Sequence, residues 1–585
     1  MIGGGDALPV AGRAPVGDRS SAALVGADGT IDWWCPARID GPAAFFGMLH
    51  RGGGACRVGP IGSPVAGVQT WRGADAPVVR TEVVGAESLV RLDDAMIGGS
   101  LVRVVTVLRG PADVVLDVVP GRAFGPARRV TRFSGGVAFD GMVVRGLADG
   151  EPARMDAGEQ VVVTIGVEEH RGATSQGDGR SQQLTVGAAL GRFDDMDRQW
   201  RGLLDNAYDG PYRTMVRNAM RQLMLLTDAT SGGLLRSLTT SVPPHPRNDR
   251  NVDERMVWVG DAARFTVLLE RLERHDLADL TRHWVATALD SDEPLPAVFT
   301  AAGTRPEEER ELDLDGYRGH RPVRVGAPPD ATLWLAGLAE ATLALDGRRH
   351  RRTLERVTRW LSIHAMDPDH GRWGSRGRPR RHVDGALAVR RALRAAAATL
   401  RSGDPLSEPA ADAATAATAL DRWLGANGLF GAADRAGWRR CAGDDTSDVA
   451  LLRWVAPWDA DLADLPDDGD GEAMHRAMLT LDQTLAQLDD GGLTHRHLPH
   501  VDDGFAPGEG ADVAASAELV AALARVGRWD EAHLRMETLL GAVGPMTVAS
   551  SHLDPRSHDH GGNAPSAPAL MALIEAALSL RSGPR

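Results

Sequence analysis

Lysine is absent from this sequence of 585 residues, and all 65 basic side chains are arginine. Schiff-base chemistry and the lysine of a phosphate-binding P-loop are thereby excluded. Cysteine is nearly absent as well. Cys35, Cys56 and Cys441 are far apart and odd in number, with no CxxC. That excludes a disulfide framework and makes a reducing cytoplasm the expected setting. No apolar run approaches the ~18 residues of a membrane helix. The start, "MIGGGDALPVAG", has no basic stretch followed by an apolar one, so no export signal is expected. Positive charge is in deficit: 65 − 79 = −14. A nucleic-acid partner needs basic surface, so none is expected, and "RWGSRGRPRRH" is only a local basic strip.

What is present is ordinary globular composition, 43% apolar and 25% charged, on a chain long enough for two domains. Up to about residue 190 the pattern is β. "AALVGADGTIDWWC" holds two short apolar runs around the turn signal Asp28-Gly29. "SLVRVVTVLRG", "ADVVLDVVPG", "QVVVTIGVEEH" and "QQLTVGAALG" alternate or run in Val, with Gly or Pro at most of their ends. This predicts an antiparallel sandwich over 1–190. A linking helix is predicted over 191–209. From 210 to 585 apolar residues recur every three or four positions in about twelve segments, beginning with "PYRTMVRNAMRQLMLLTDA". No repeat is evident, so a closed ring of six helical hairpins is favoured over a solenoid.

Eight segments in order resemble the bacterial glycoside hydrolase family 15 proteins, the glucoamylase- and trehalase-like group. They begin with "VGDRSSAALVGADGTIDWWCPARIDGPAAFFGMLH", "SLTTSVP", "NVDERMVWVGDAARFTVLLERL" and "DLDGYRGHRPVRVG". "DHGRWGSRGRPRRH", "GDDTSDVALLRWVAPW", "APGEGADVAASAELVAAL" and "GNAPSAPALMALIEAALSL" follow. The resemblance implies an N-terminal β-sandwich before an (α/α)6 barrel, a six-hairpin glycosidase of carbohydrate metabolism. It implies inverting hydrolysis of an α-glucoside by two carboxyl groups roughly 6.5–9.5 Å apart. No cofactor, no metal and no membrane partner are expected.

The residues depart from that chemistry. The family's acid follows a Trp in a "W-E-x-R-G" frame, and here Trp373 is followed by Gly374. Its base lies in an "A-E-E-x-D-P" segment; counting back from Asp554-Pro555 gives Ser551, or Ser550 with one insertion. No residue is therefore assigned a catalytic role. Adjacent His552 is expected to be a solvated loop residue, with a substitute base role as the alternative. In the family's "W-x-R-D-A" sugar grip, Trp258 and Asp261 remain while Gly260 replaces the arginine. Ala327, Ala331 and Thr332 replace its Asn, Asp and Gln, and Pro568-Ala569-Leu570 its "F-S-H" triplet. Trp258, Asp261, Arg318 and Trp373 are left as sugar contacts. Asp261, Asp384, Asp445 and Glu509 are candidates for a relocated acid–base pair. His495/His497 and His558/His560 have metal-ligand spacing but no third ligand in a motif. Three readings follow: a catalytically impaired homologue with weak sugar binding or a partner role, an active α-glucosidase or trehalase-like enzyme with a relocated pair, and a ligand-free assembly protein. Aromatic content of 5%, with three tyrosines, favours the last.

Overall fold

The computed structural model describes residues 8–62, 65–127, 129–167, 184–290, 295–329, 334–427, 437–444, 446–455, 472–499 and 501–581. The chain divides into two compact units. One comprises Met1–Asp205, Met220–Ala229 and Asp313–Val323; the other comprises Asn206–Ala219, Thr230–Leu312 and Arg324–Arg585.

The first unit is an antiparallel β-sandwich. One sheet orders Arg13–Gly17, Ala22–Gly26, Thr30–Cys35, Ala55–Pro60, Ala112–Val119 and Ala153–Met155. The other orders Val130–Phe133, Gly136–Phe139, Met142–Arg145, Gln160–Val167, Ser100–Arg109, Leu89–Ile97, Val79–Val84 and Ala66–Trp71. The strand Arg13–Gly17 packs against Val79–Val84 and Leu89–Ile97, which brings the sheets face to face. Alternation shows in Val79–Val84, where Val79, Thr81 and Val83 are buried and their neighbours are not. Buried Arg103 is tolerated because Asp94 accepts its Nε–H at 2.7 Å. The turn predicted at Asp28-Gly29 is real. Gly29 has φ +82°, and a Cβ there would lie 2.4 Å from the Val58 carbonyl oxygen.

One predicted strand is a helix. The end of "QQLTVGAALG" begins α1 (Val186–Leu204), which also takes in most of the segment predicted as a linking helix. Ala189, Phe193, Met196, Trp200 and Leu204 recur at helical spacing, and Thr185 caps the start by accepting the Ala188 N–H at 3.3 Å. That pattern outweighs a short Val/Leu run.

The second unit is an (α/α)6 barrel. The helices after α1 are α2 (Arg213–Leu226), whose residues divide between the units, α3 (Val259–Arg271), α4 (His275–Leu289), α5 (Leu335–Ala344) and α6 (Arg351–His364). Then come α7 (Val383–Gly403), α8 (Glu408–Ala426), α9 (Leu452–Val455), α10 (Glu472–Leu488), α11 (Val513–Arg525), α12 (Trp529–Val543) and α13 (Ala567–Leu580). Helices α3, α5, α7, α9, α11 and α13 form the inner ring, and α13 packs back on α3 to close it. Each of α4, α6, α8, α10 and α12 packs outside the inner helix before it. Composition sorts the two layers. In α13 every residue from Ala569 to Leu580 is buried, whereas α6 buries one stripe that includes Leu354, Val357, Trp360 and Leu361. Among the described residues, no helix is long and apolar enough to cross a membrane.

Candidate active site

Every inner helix turns an ionisable side chain toward its neighbours in the ring. Arg264 on α3 pairs with Glu575 on α13 (Nε–Oε1 2.8 Å) and with Glu518 on α11 (3.1 Å). Arg453 on α9 pairs with Glu340 on α5, and Trp454 Nε1 donates to Asp384 Oδ1 on α7 at 2.8 Å. Burial pushes the Asp261, Asp384 and Glu575 carboxyls up, while the arginines facing them pull the other way.

Against this network lies a cavity of about 540 Å³, open to solvent. Its wall carries two indoles, Trp258 and Trp373, and four guanidiniums, from Arg236, Arg250, Arg372 and Arg496. Glu254 is the single carboxylate on it. Trp258 is placed by a two-residue strand that pairs with Val298–Phe299 and runs directly into α3. The Arg236 guanidinium lies 4.5 Å over the Trp258 ring, with Nε 3.3 Å from Asp261 Oδ2 and 3.8 Å from Glu254 Oε1. Arg372 and Arg496 each lie 5.0 Å over the Trp373 ring, whose Nε1 donates to Asp448 Oδ1 at 2.8 Å.

Arg250 holds the Trp373–Gly374 segment. Its Nη1 donates to both of their carbonyl oxygens, at 2.7 and 3.1 Å, while Nε and Nη2 bind Glu509 (2.5 Å) and Asp503. Ser551 Oγ is 2.9 Å from His552 Nδ1. His552 Nε2 faces Glu509 and Asp512 at 3.6 and 3.7 Å. Arg250 and Arg496 hold the Glu509 carboxyl well below the usual range despite its burial, so it is ionised. Two facing carboxylates place the imidazole proton on Nε2, which leaves Nδ1 to accept the Ser551 hydroxyl proton. Burial, then Arg496, lowers the His552 pKa, so the ring is neutral.

Residues 210–425 match the family model of the glycosyl hydrolases family 15. The trehalase of Mycobacterium tuberculosis is 26% identical over 97% of this chain and 89% of its own length. The trehalase of Mycolicibacterium smegmatis is 24% identical over 97% and 90%. A bacterial glucoamylase solved in complex with acarbose superposes with a TM-score of 0.70 at 13% identity, covering 99% of this chain and 94% of its own. Residues 210–425 thus carry the family 15 match, and over nearly its full length the chain is similar to the two mycobacterial trehalases. With the glucoamylase it shares the fold.

Gly374 and Ser551 line the same cavity, whereas Ser550 is turned away, its Oγ on the His552 carbonyl oxygen at 2.8 Å. His552 is not solvated: it is 1% exposed in the strand His552–Leu553. Asp261 is absent from the wall and reaches it through Arg236. Gly260 has a packing reason. A Cβ there would meet Gly337 Cα and the Trp334 ring at 2.7 Å, so α3 and α5 exclude an arginine at 260. Arg236 supplies a guanidinium beside Asp261 instead. Arg318 falls in Asp313–Val323 of the β-sandwich unit, exposed, with its guanidinium 5.6 Å over Tyr317.

Of the candidates for a relocated pair, Asp384 lines a second cavity, of about 360 Å³, and Glu509 is consumed by Arg250 and Arg496. Asp445, Ala331 and Thr332 lie outside the described residues. The histidine pairs do not act as pairs. His558 is exposed, while burial lowers the pKa of His560. His495 binds the Gly510 carbonyl oxygen at 2.8 Å. His497, Asp503 and Glu509 do place ligand atoms within 4.8 Å of one another, but Arg250 already bridges both acids. The sequence reading missed Arg236, Glu254, Arg372 and Arg496, because ion pairs between distant segments carry no local pattern.

Proposed function

We propose that this chain is a hydrolytically impaired family 15 protein that holds an α-glucoside in its barrel cavity without cleaving it. The observation that carries this is the wall itself. Gly374 and Ser551 are both on it, and neither bears a carboxyl group. Inverting hydrolysis needs a proton delivered to the leaving oxygen and one taken from water. Gly374 has no proton to give. The Ser551 hydroxyl points its proton into His552 and accepts none. Each missing group is worth about 10²–10⁴ in rate.

The ring of helices, the two indoles and the buried polar atoms that lack a hydrogen bond support a retained binding site. On the cavity wall these atoms include Trp258 Nε1 and Glu254 Oε2. Leaving them unmet is costly, about 1–3 kcal/mol each, and sugar hydroxyls would meet them. This weighs against a ligand-free assembly role. With the family's Arg, Asn and Gln replaced, binding of neutral sugars is expected at about millimolar or weaker. No cofactor enters this reading, and three buried free cysteines suit a reducing cytoplasm.

An active enzyme is the second reading, favoured by one observation: Glu254 is a carboxylate on the wall with Oε2 buried and unbonded. The test is glucose release from trehalose, maltose and a nitrophenyl α-glucoside. No release above the buffer rate is expected. Turnover that disappears in Glu254→Gln would establish the second reading instead.

A further inference from the structure

The cavity wall is unbalanced in hydrogen-bonding sense. On the donor side, Arg372 spends Nη2 on Glu518 and leaves Nη1 buried with no acceptor. Arg236 approaches Asp261 and Glu254 through Nε, at 3.3 and 3.8 Å, and Arg496 spends Nε on Asp512 with Nη1 3.6 Å from Glu509. Trp258 Nε1 is a further buried donor without a partner. On the acceptor side stands Glu254 Oε2. Ser551 is committed to His552. Asn563 is committed as well: Nδ2 donates to the Val252 carbonyl oxygen (3.0 Å), and Oδ1 accepts from Thr239 Oγ1 (3.1 Å) and the Val242 N–H (3.3 Å).

A neutral sugar hydroxyl can accept from these donors but brings a proton of its own with each oxygen, and this wall offers few acceptors for it. An anionic group offers acceptors only and forms the stronger, charge-assisted bonds to guanidinium. The two positions where the family carries carboxyl groups, a protonated acid and an ionised base, are on this wall as Gly374 and Ser551, so the negative charge of the base that would repel such a ligand is missing.

We propose that the barrel cavity recognises an acidic sugar, one carrying a carboxylate or phosphate group, through Arg372, Arg236 and Arg496. This rests on reading the cavity as a sugar site. It is tested by binding, whereas the loss of hydrolysis is tested by turnover, so the two fail separately.

The experiment is calorimetry on the full chain with maltose, glucuronate, glucose 6-phosphate and inorganic phosphate. Glucuronate or glucose 6-phosphate should bind at least about tenfold more tightly than maltose, and whichever does so identifies the charged group. Salt at about 0.5 M should erase most of the advantage. Arg372→Gln should lose the preference. Ser551→Asp, which returns a negative charge to the wall without touching the arginines, should lose it too. Equal binding of maltose and both acidic sugars would overturn the proposal. So would phosphate alone binding as tightly as the sugar phosphate, which marks a simple ion site. A preference unchanged in both variants would place the anion elsewhere and overturn it as well.

Discussion

At position 374 the backbone, as well as the missing side chain, stands against a carboxylate. Gly374 has φ +61°, a left-handed conformation that costs other residues roughly 1–2 kcal/mol. Gly374→Glu is therefore expected to lower stability by about that amount and to leave the protein inactive, since Ser551 still supplies no base. Chemical denaturation and a glucose-release assay on the same preparation check both halves; full stability with restored turnover would contradict them. Gly374 was singled out in the sequence because Trp373 and Arg376 keep a recognisable frame around it. The register at 550–551 was left open by one residue; Ser551 is the one of the two that lines the cavity. The burial of His552 was not legible. "SSHLDPRSHDH" reads as a polar loop, and the pairing of His552–Leu553 with both Ala511–Asp512 and His560–Gly561 is a long-range fact.

Helix α5 begins on a buried acid from another loop. Asp369 Oδ2 accepts the Leu335 N–H and Oδ1 the Gly371 N–H, both at 3.1 Å. Burial outweighs these bonds and pushes its carboxyl up to about 7. In the unfolded chain it titrates near 3.9 (about). Between those values the native state holds a proton that the unfolded chain has released. The contribution of this group to stability is therefore full below about pH 4 and lost as pH rises through about 7. Wild type should lose stability relative to Asp369→Asn across that window, read as diverging urea midpoints. Parallel profiles would refute the assignment. Segments of this kind were visible in sequence only as helix bodies. The α6, α7 and α8 spans follow apolar periodicity closely, because each helix buries a face. The start of α1 did not, because its first turn, Val186–Leu190, reads equally well as a strand.

The order of β then helices, and closure of the helices into a ring, followed from periodicity and segment count. What periodicity could not show is that segments as remote as Arg236, Trp373, Arg496 and Ser551 meet on one wall. It also could not show that Arg318 belongs to the sandwich unit. The central claim joins two properties of that wall, retained sugar contact and lost hydrolysis, and one experiment reads both. Proton NMR of trehalose and of maltose, with the full chain near stoichiometric amounts, follows saturation transfer to the sugar and the anomeric signals of free glucose together. The account predicts saturation transfer to bound sugar, with no protein-dependent glucose signal over hours. Glucose accumulating with the wild-type chain, and failing to accumulate with Glu254→Gln, would contradict it.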